Sequence, residues 1–219
     1  MAVISFRHNF IFIKTTKTAG TSIEVDLSDI SGERAIVTPI IPPVRGHQAR
    51  NYLAEDGTAE FYNHMSASAI RDLIGEERFA QMYKFCVERE PVSKCISHFH
   101  MLRNSPIHSQ DGRYDLSWQE YCDARKFPND LGKYSELESG SRVLMVDKVL
   151  PYERIAQSLA QLLQGLSVDG FVLKTRAKAE HSQNRLIRTS EVTEDQRQSI
   201  YSAFAESCNL TGMYSNSHS

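Results

Sequence analysis

Phe10-Ile-Phe-Ile-Lys-Thr-Thr-Lys-Thr-Ala-Gly-Thr-Ser-Ile-Glu24 is the stretch whose reading decides the fold. Phe10 to Ile13 are all apolar and read as a short buried strand. Lys14 to Gly20 read as a polar turn, and Thr21-Ser-Ile-Glu24 as the first turn of a helix running to Asp29. A helix start presents unpaired backbone N–H groups and the positive end of its dipole to whatever lies above the turn. Lys17 adds a mobile positive charge, and Thr18, Thr21 and Ser22 add hydroxyls. Ala19 and Gly20 keep the wall low enough for a phosphate to reach backbone. The stretch is predicted to be a phosphate-binding loop.

The nucleoside-triphosphate pattern G-x-x-x-x-G-K-S/T fits it only in part. Gly20 and Ser22 match, but Thr15 stands where the first glycine belongs and Thr21 where the lysine belongs. The lysine lies earlier, at Lys17. Such a loop suits a nucleotide 5′ phosphate and is poorly arranged to bridge a β/γ-phosphate pair with magnesium. Lys17-Thr-Ala-Gly-Thr-Ser22, placed after an N-terminal strand, resembles the 5′-phosphosulfate loop of sulfotransferases that use 3′-phosphoadenosine 5′-phosphosulfate (PAPS). Within that family it is most similar to the carbohydrate branch, which has Golgi, heparan-type and bacterial members. The resemblance implies an α/β, P-loop-like three-layer fold with a mostly parallel central sheet flanked by helices. It also implies that Lys17, Thr18, Ala19, Gly20, Thr21 and Ser22 bind the 5′ phosphate, with Lys17 aimed at the bridging oxygen.

A second segment, Phe85-Cys-Val-Glu-Arg-Glu-Pro-Val-Ser-Lys-Cys-Ile-Ser97, reads as another buried strand that delivers Arg89 at its end. Pro91 suits the first turn of the helix that follows, and Ser93 and Ser97 lie one turn apart on it. A guanidinium and a hydroxyl so placed can grip one phosphate from two directions. The segment resembles the 3′-phosphate motif of the same family, which implies that Arg89 and Ser97 bind that group. Glu90 departs from the usual Asp or Asn and brings a negative charge to the motif. Lys17 and Arg89 are accordingly expected to meet at neighbouring strand tips.

His64 precedes a helix that Ser66 caps and Gly75 ends. By resemblance His64 is the base that takes the acceptor hydroxyl's proton, and a histidine titrates in the range such a step uses. His47, in the irregular proline-containing segment 39–63, is the reserve candidate. The late basic run Lys174 to Arg188 is similar to the family loop that folds over the adenosine. Arg185 is assigned there, with Arg176 and Lys178 as neighbours.

With 219 residues, a net charge of −2, 41% apolar and 24% charged residues, the chain reads as one soluble domain over 1–214 with a disordered tail, 215–219. That charge argues against a nucleic-acid partner bound by bulk electrostatics. No apolar run reaches the roughly 20 residues of a membrane span, and no signal-like start is present, so a cytoplasmic location is expected. Cys86, Cys95, Cys122 and Cys208 show no C-x-x-C spacing and are expected to be reduced and packed. The predicted activity is in-line sulfuryl transfer from PAPS to a hydroxyl acceptor, a carbohydrate by resemblance, without a metal. The competing readings are a P-loop kinase of a small metabolite and a nucleotide-binding module without catalysis.

Overall fold

The computed structural model describes residues 2–104, 114–175 and 186–215. The described chain falls into two compact units, Met1–Glu88 with Asp130–Ala177 and Arg89–Asn129 with Lys178–Ser219.

The first unit is mixed α/β. Strand β1 (Ala2–Ser5) turns back into β2 (Phe10–Ile13), and the two pair antiparallel. The loop and helix α1 (Gly20–Ile30) follow, then the short β3 (Ile36–Val37). Helices α2 (Ala67–Ile74) and α3 (Glu76–Gln81) lead into β4 (Tyr83–Glu88). As Ser66 and Gly75 foretell, Ser66 caps α2 by accepting from Ala69 N–H, and Gly75 ends it at φ +88°.

The sheet order is β3-β1-β2-β4-β7, where β7 is Lys148–Pro151. The pairs β2/β4 and β4/β7 are parallel, whereas β1/β2 and β1/β3 are antiparallel. The sheet is therefore evenly mixed, which corrects the expectation of a mostly parallel one. The cause is Ala2–Ser5, which forms a hairpin with β2 across a short turn where Asn9 takes φ +53°.

Phe12 and Phe85 pack against each other across the parallel pair, tilted by 34° with ring centroids 5.4 Å apart. Val3, Phe10, Phe12, Phe85, Val87 and Leu150 share one core with Ile23 and Leu27 of α1. Leu159 and Leu163 of α7 (Ile155–Gly165) join the same core. This apolar face holds α1, and with it the loop, at the C-terminal end of β2.

Residues 132–142, polar and glycine-containing in sequence, form regular structure. Helix α6 (Leu131–Tyr134) runs into β5 (Ser135–Glu138), which pairs with β6 (Ser141–Leu144). Ser139 and Gly140 both take positive φ, +49° and +85°, the requirement of a two-residue hairpin turn. Arg71 on α2 donates to both carboxylate oxygens of Glu136 on β5, at 2.7 and 2.9 Å. That ion pair, made by Nη1 to both oxygens, ties the helix after His64 to the hairpin after α6.

The second unit is helical among its described residues. Its core is built from α4 (Pro91–Asn104), α5 (Trp118–Ala124) and α8 (Glu194–Thr211). Ser117 and Thr193 each form a full capping box, with Glu120 and Gln196. All four cysteines are free thiols and buried. Among the described residues no helix is long and apolar enough to cross a membrane.

Glu90 turns its carboxylate into the start of α4. Its oxygens accept from Val92 N–H at 2.9 Å, Ser93 N–H at 2.7 Å and the Tyr201 hydroxyl at 2.8 Å. Glu90 thus caps the first amides of α4. Glu90→Ala is expected to lower stability by about 1–2 kcal/mol in urea denaturation. Glu90→Asp should recover part of that loss.

Candidate functional site

The loop after β2 is shaped by side chains that turn inward. Thr15 donates its hydroxyl to Val87 O on the neighbouring strand and lies 2.8 Å from the Thr18 hydroxyl. Thr18 is fully buried and also donates to Thr15 O at 3.2 Å. Lys17 and Ala19 take left-handed conformations, φ +62° and +57°, which L-residues adopt only at a cost of about 1–2 kcal/mol each. Ala19 is the N-cap of α1, and its carbonyl receives the Ile23 N–H at 3.1 Å. Helix geometry leaves the Gly20 and Thr21 amides without intrahelical partners.

Beneath the helix start lies Lys14, which sequence reasoning passed over as part of the turn. It is 6% exposed, donates to the Thr21 hydroxyl at 2.9 Å, and pairs with the fully buried Glu24 at 3.5 Å. Its aliphatic stem fills the space beside Gly20: a Cβ there would stand 2.5 Å from Lys14 Cγ. Gly20 is therefore required for the lysine beneath it, as well as for a low wall. The Thr18 hydroxyl, expected to serve a ligand, is engaged within the loop, whereas the Thr21 hydroxyl accepts from Lys14 and keeps its own proton to donate. Lys17, in the same loop, is half-buried.

Asp130 binds the loop from across the first unit. Its carboxylate accepts from Thr16 N–H at 2.6 Å and from the Thr16 hydroxyl at 2.9 Å. The same group pairs with Lys133, on the α6 turn that Asp130 opens. Lys133 Nζ reaches the Thr16 hydroxyl at 3.3 Å and His64 Nδ1 at 3.5 Å. The fold thus brings His64 to the loop through Lys133 and Thr16. Neither Asp130 nor Lys133 was singled out in the sequence, and no motif marks them.

His64 is half-buried and holds φ +60°, an outlier of the kind that clusters at functional sites. Burial pushes its pKa down from 6.5 to about 3, helped by the nearby Lys133 and Lys14 ammonium groups and opposed by Asp130. His47 donates from Nε2 to Thr38 O at 2.9 Å, while its Nδ1 is buried without a hydrogen-bond partner. Burial, with Lys14 and Arg50 nearby, lowers its pKa as well. Arg50 anchors this irregular segment by donating to Ser28 O at 2.6 Å and Gly32 O at 2.9 Å at the end of α1.

Arg89 follows β4 directly and, like Ser97 on α4, is half-buried within the second unit. Arg185, Arg176 and Lys178 lie outside the described residues. Two surface concavities of the first unit, of about 290 Å³ around Arg50 and about 140 Å³ around Asp169, are lined by none of these loop residues. No protein-family model, curated protein or solved structure matches the chain.

Two outcomes follow from this geometry. Gly20→Ala forces the Lys14 stem off its seat and is expected to cost about 1–3 kcal/mol, read as a shifted denaturation midpoint. Because His64 titrates near 3 when folded and near 6.5 when unfolded, the unfolded chain takes up the proton first on acidification. Stability should fall as pH drops from 6.5 towards 3, by at most about 1.4 kcal/mol per pH unit from this group. His64→Gln should flatten the profile in that window.

Proposed function

We propose that this chain is a PAPS-dependent sulfotransferase that moves a sulfuryl group to a hydroxyl acceptor, a carbohydrate, by in-line displacement. The observation that carries the reading is the site in the first unit. There Lys17-Thr-Ala-Gly-Thr-Ser22 sits between β2 and α1, and Lys133 links its Thr16 flank to His64. In this reading the fold is P-loop-like, with the sheet pairing β2/β4/β7 as its parallel part.

PAPS supplies an activated sulfonate whose departure leaves negative charge on the bridging phosphate oxygen. Lys17 stabilises that charge, doing by position what a metal clamp does in phosphoryl transfer. The amides of Ala19, Gly20, Thr21 and Ser22, at the positive end of the α1 dipole, hold the 5′ phosphate. Thr18 contributes through the loop backbone, because its hydroxyl is committed to Thr15. Arg89 and Ser97 recognise the 3′ phosphate, which separates this donor from ADP-like nucleotides; Arg185 is assigned to the same group. A histidine takes the acceptor proton, His64 first and His47 in reserve.

Calorimetry tests the donor assignment. Adenosine 3′,5′-bisphosphate is expected to bind without metal and at least tenfold tighter than ADP, with Arg89→Ala erasing the difference. Tight binding of magnesium-ATP in place of the bisphosphate would overturn the reading in favour of a kinase. His64→Ala is expected to cut labelled-sulfate transfer to sugars by about a hundredfold or more while bisphosphate binding survives. Binding without any transfer in the wild-type chain would leave a nucleotide-binding module.

A further inference from the structure

Lys133 has no chemical role in the proposed transfer, yet its ammonium reaches Asp130, Thr16 and His64 together. Its ammonium is held by Asp130, which is 3% exposed and also fixes the Thr16 amide and hydroxyl. From that seat it reaches His64 Nδ1 at 3.5 Å, the outer edge of a hydrogen bond. An ammonium has only protons to give, so Nδ1 can only accept. A neutral imidazole that accepts at Nδ1 carries its proton on Nε2.

We infer that Lys133 is a positioning residue for His64: clamped by Asp130, it covers the Nδ1 lone pair and leaves Nε2–H as the polar atom the ring offers to a ligand. Among the described residues no other hydrogen bond to the ring competes with this arrangement. In the unliganded protein His64 is therefore a hydrogen-bond donor, suited to a sulfonate or phosphate oxygen, and its basic nitrogen is masked. Nδ1 takes up a proton only after the ammonium has moved away. An oxyanion on the loop causes that movement, since it competes for the same charge, so donor binding unmasks the base before the acceptor hydroxyl is deprotonated. The proton then passes from the hydroxyl to Nδ1 as the oxygen–sulfur bond forms and the sulfur–oxygen bond to the phosphate breaks. The buried, lowered titration of His64 is consistent with a ring held neutral beside a cation. Lys14 and Asp130 are the other described charges that act on it.

Only the consequence for turnover rests on the sulfotransferase reading; the ring state of the unliganded chain does not. Nitrogen-15 spectra of the histidine rings in the full chain at neutral pH test it. Wild-type protein should show an unprotonated Nδ1 and a protonated Nε2 for His64. Lys133→Gln should lose that preference, bringing the two nitrogen shifts towards each other, and Lys133→Arg should restore it. A His64 protonated on Nδ1, or a preference unchanged in Lys133→Gln, overturns the inference. The wild-type spectrum alone can do so, even if Lys133→Gln fails to fold. Adding adenosine 3′,5′-bisphosphate should move the His64 Nδ1 resonance in wild type and much less in Lys133→Gln. Equal movement in both overturns the unmasking step. If the Gly20 amide shows no binding of that nucleotide, the donor assignment fails while the ring measurement still stands.

Discussion

A single buried carboxylate, Asp130, holds the candidate site together. It satisfies the Thr16 amide and hydroxyl and binds Lys133, so the strand–loop–helix segment and the α6 turn are locked to each other. A carboxylate so deeply placed persists only because donors surround it, and removing either side leaves a charge or an amide stranded in low dielectric. Loop, lysine and histidine are consequently one electrostatic unit. A change at any member alters the proton affinity or position of the others.

A second buried pair does the same work from below. Lys14 and Glu24 join the end of β2 to the second turn of α1, and the absence of a side chain at Gly20 gives the lysine stem its path. Backbone strain at Lys17, Ala19 and His64 is tolerated because these polar clamps and the Phe12–Phe85 core over-determine the local geometry. A loop held this firmly presents its amides in a fixed array, which is what an anion site needs if binding is not to spend its energy on ordering. The threonines, which as isolated residues look like ligand donors, act mainly as the internal scaffold of that array.

Much of the local structure was legible in the chain. The apolar run Phe10–Ile13, the capping serines and threonine, Gly75 and Pro91 act through near neighbours, and β2, α2, α4, α5 and α8 start or end as these signals direct. The hairpin β5/β6 was missed although Ser139-Gly140 is a turn signal, because Glu136, Glu138 and Arg142 gave its strands a polar reading. The antiparallel edge was missed because Ala2–Ser5 is too short to declare its partner. Glu90 looked like an intrusive charge, and only the placement of Tyr201 and the first α4 amides showed where it points.

The sequence by itself determined the strand, the glycine-containing loop, the helix behind it and the chemistry of the charges they carry. All of these depend on residues within a turn or two of each other. That Lys14 is buried beneath Gly20, and that Asp130 and Lys133 stand between Thr16 and His64, were decided only by tertiary structure. Those contacts join segments far apart in the chain, where spacing carries no signal and only the packing of the sheet, α2 and α6 selects the neighbours.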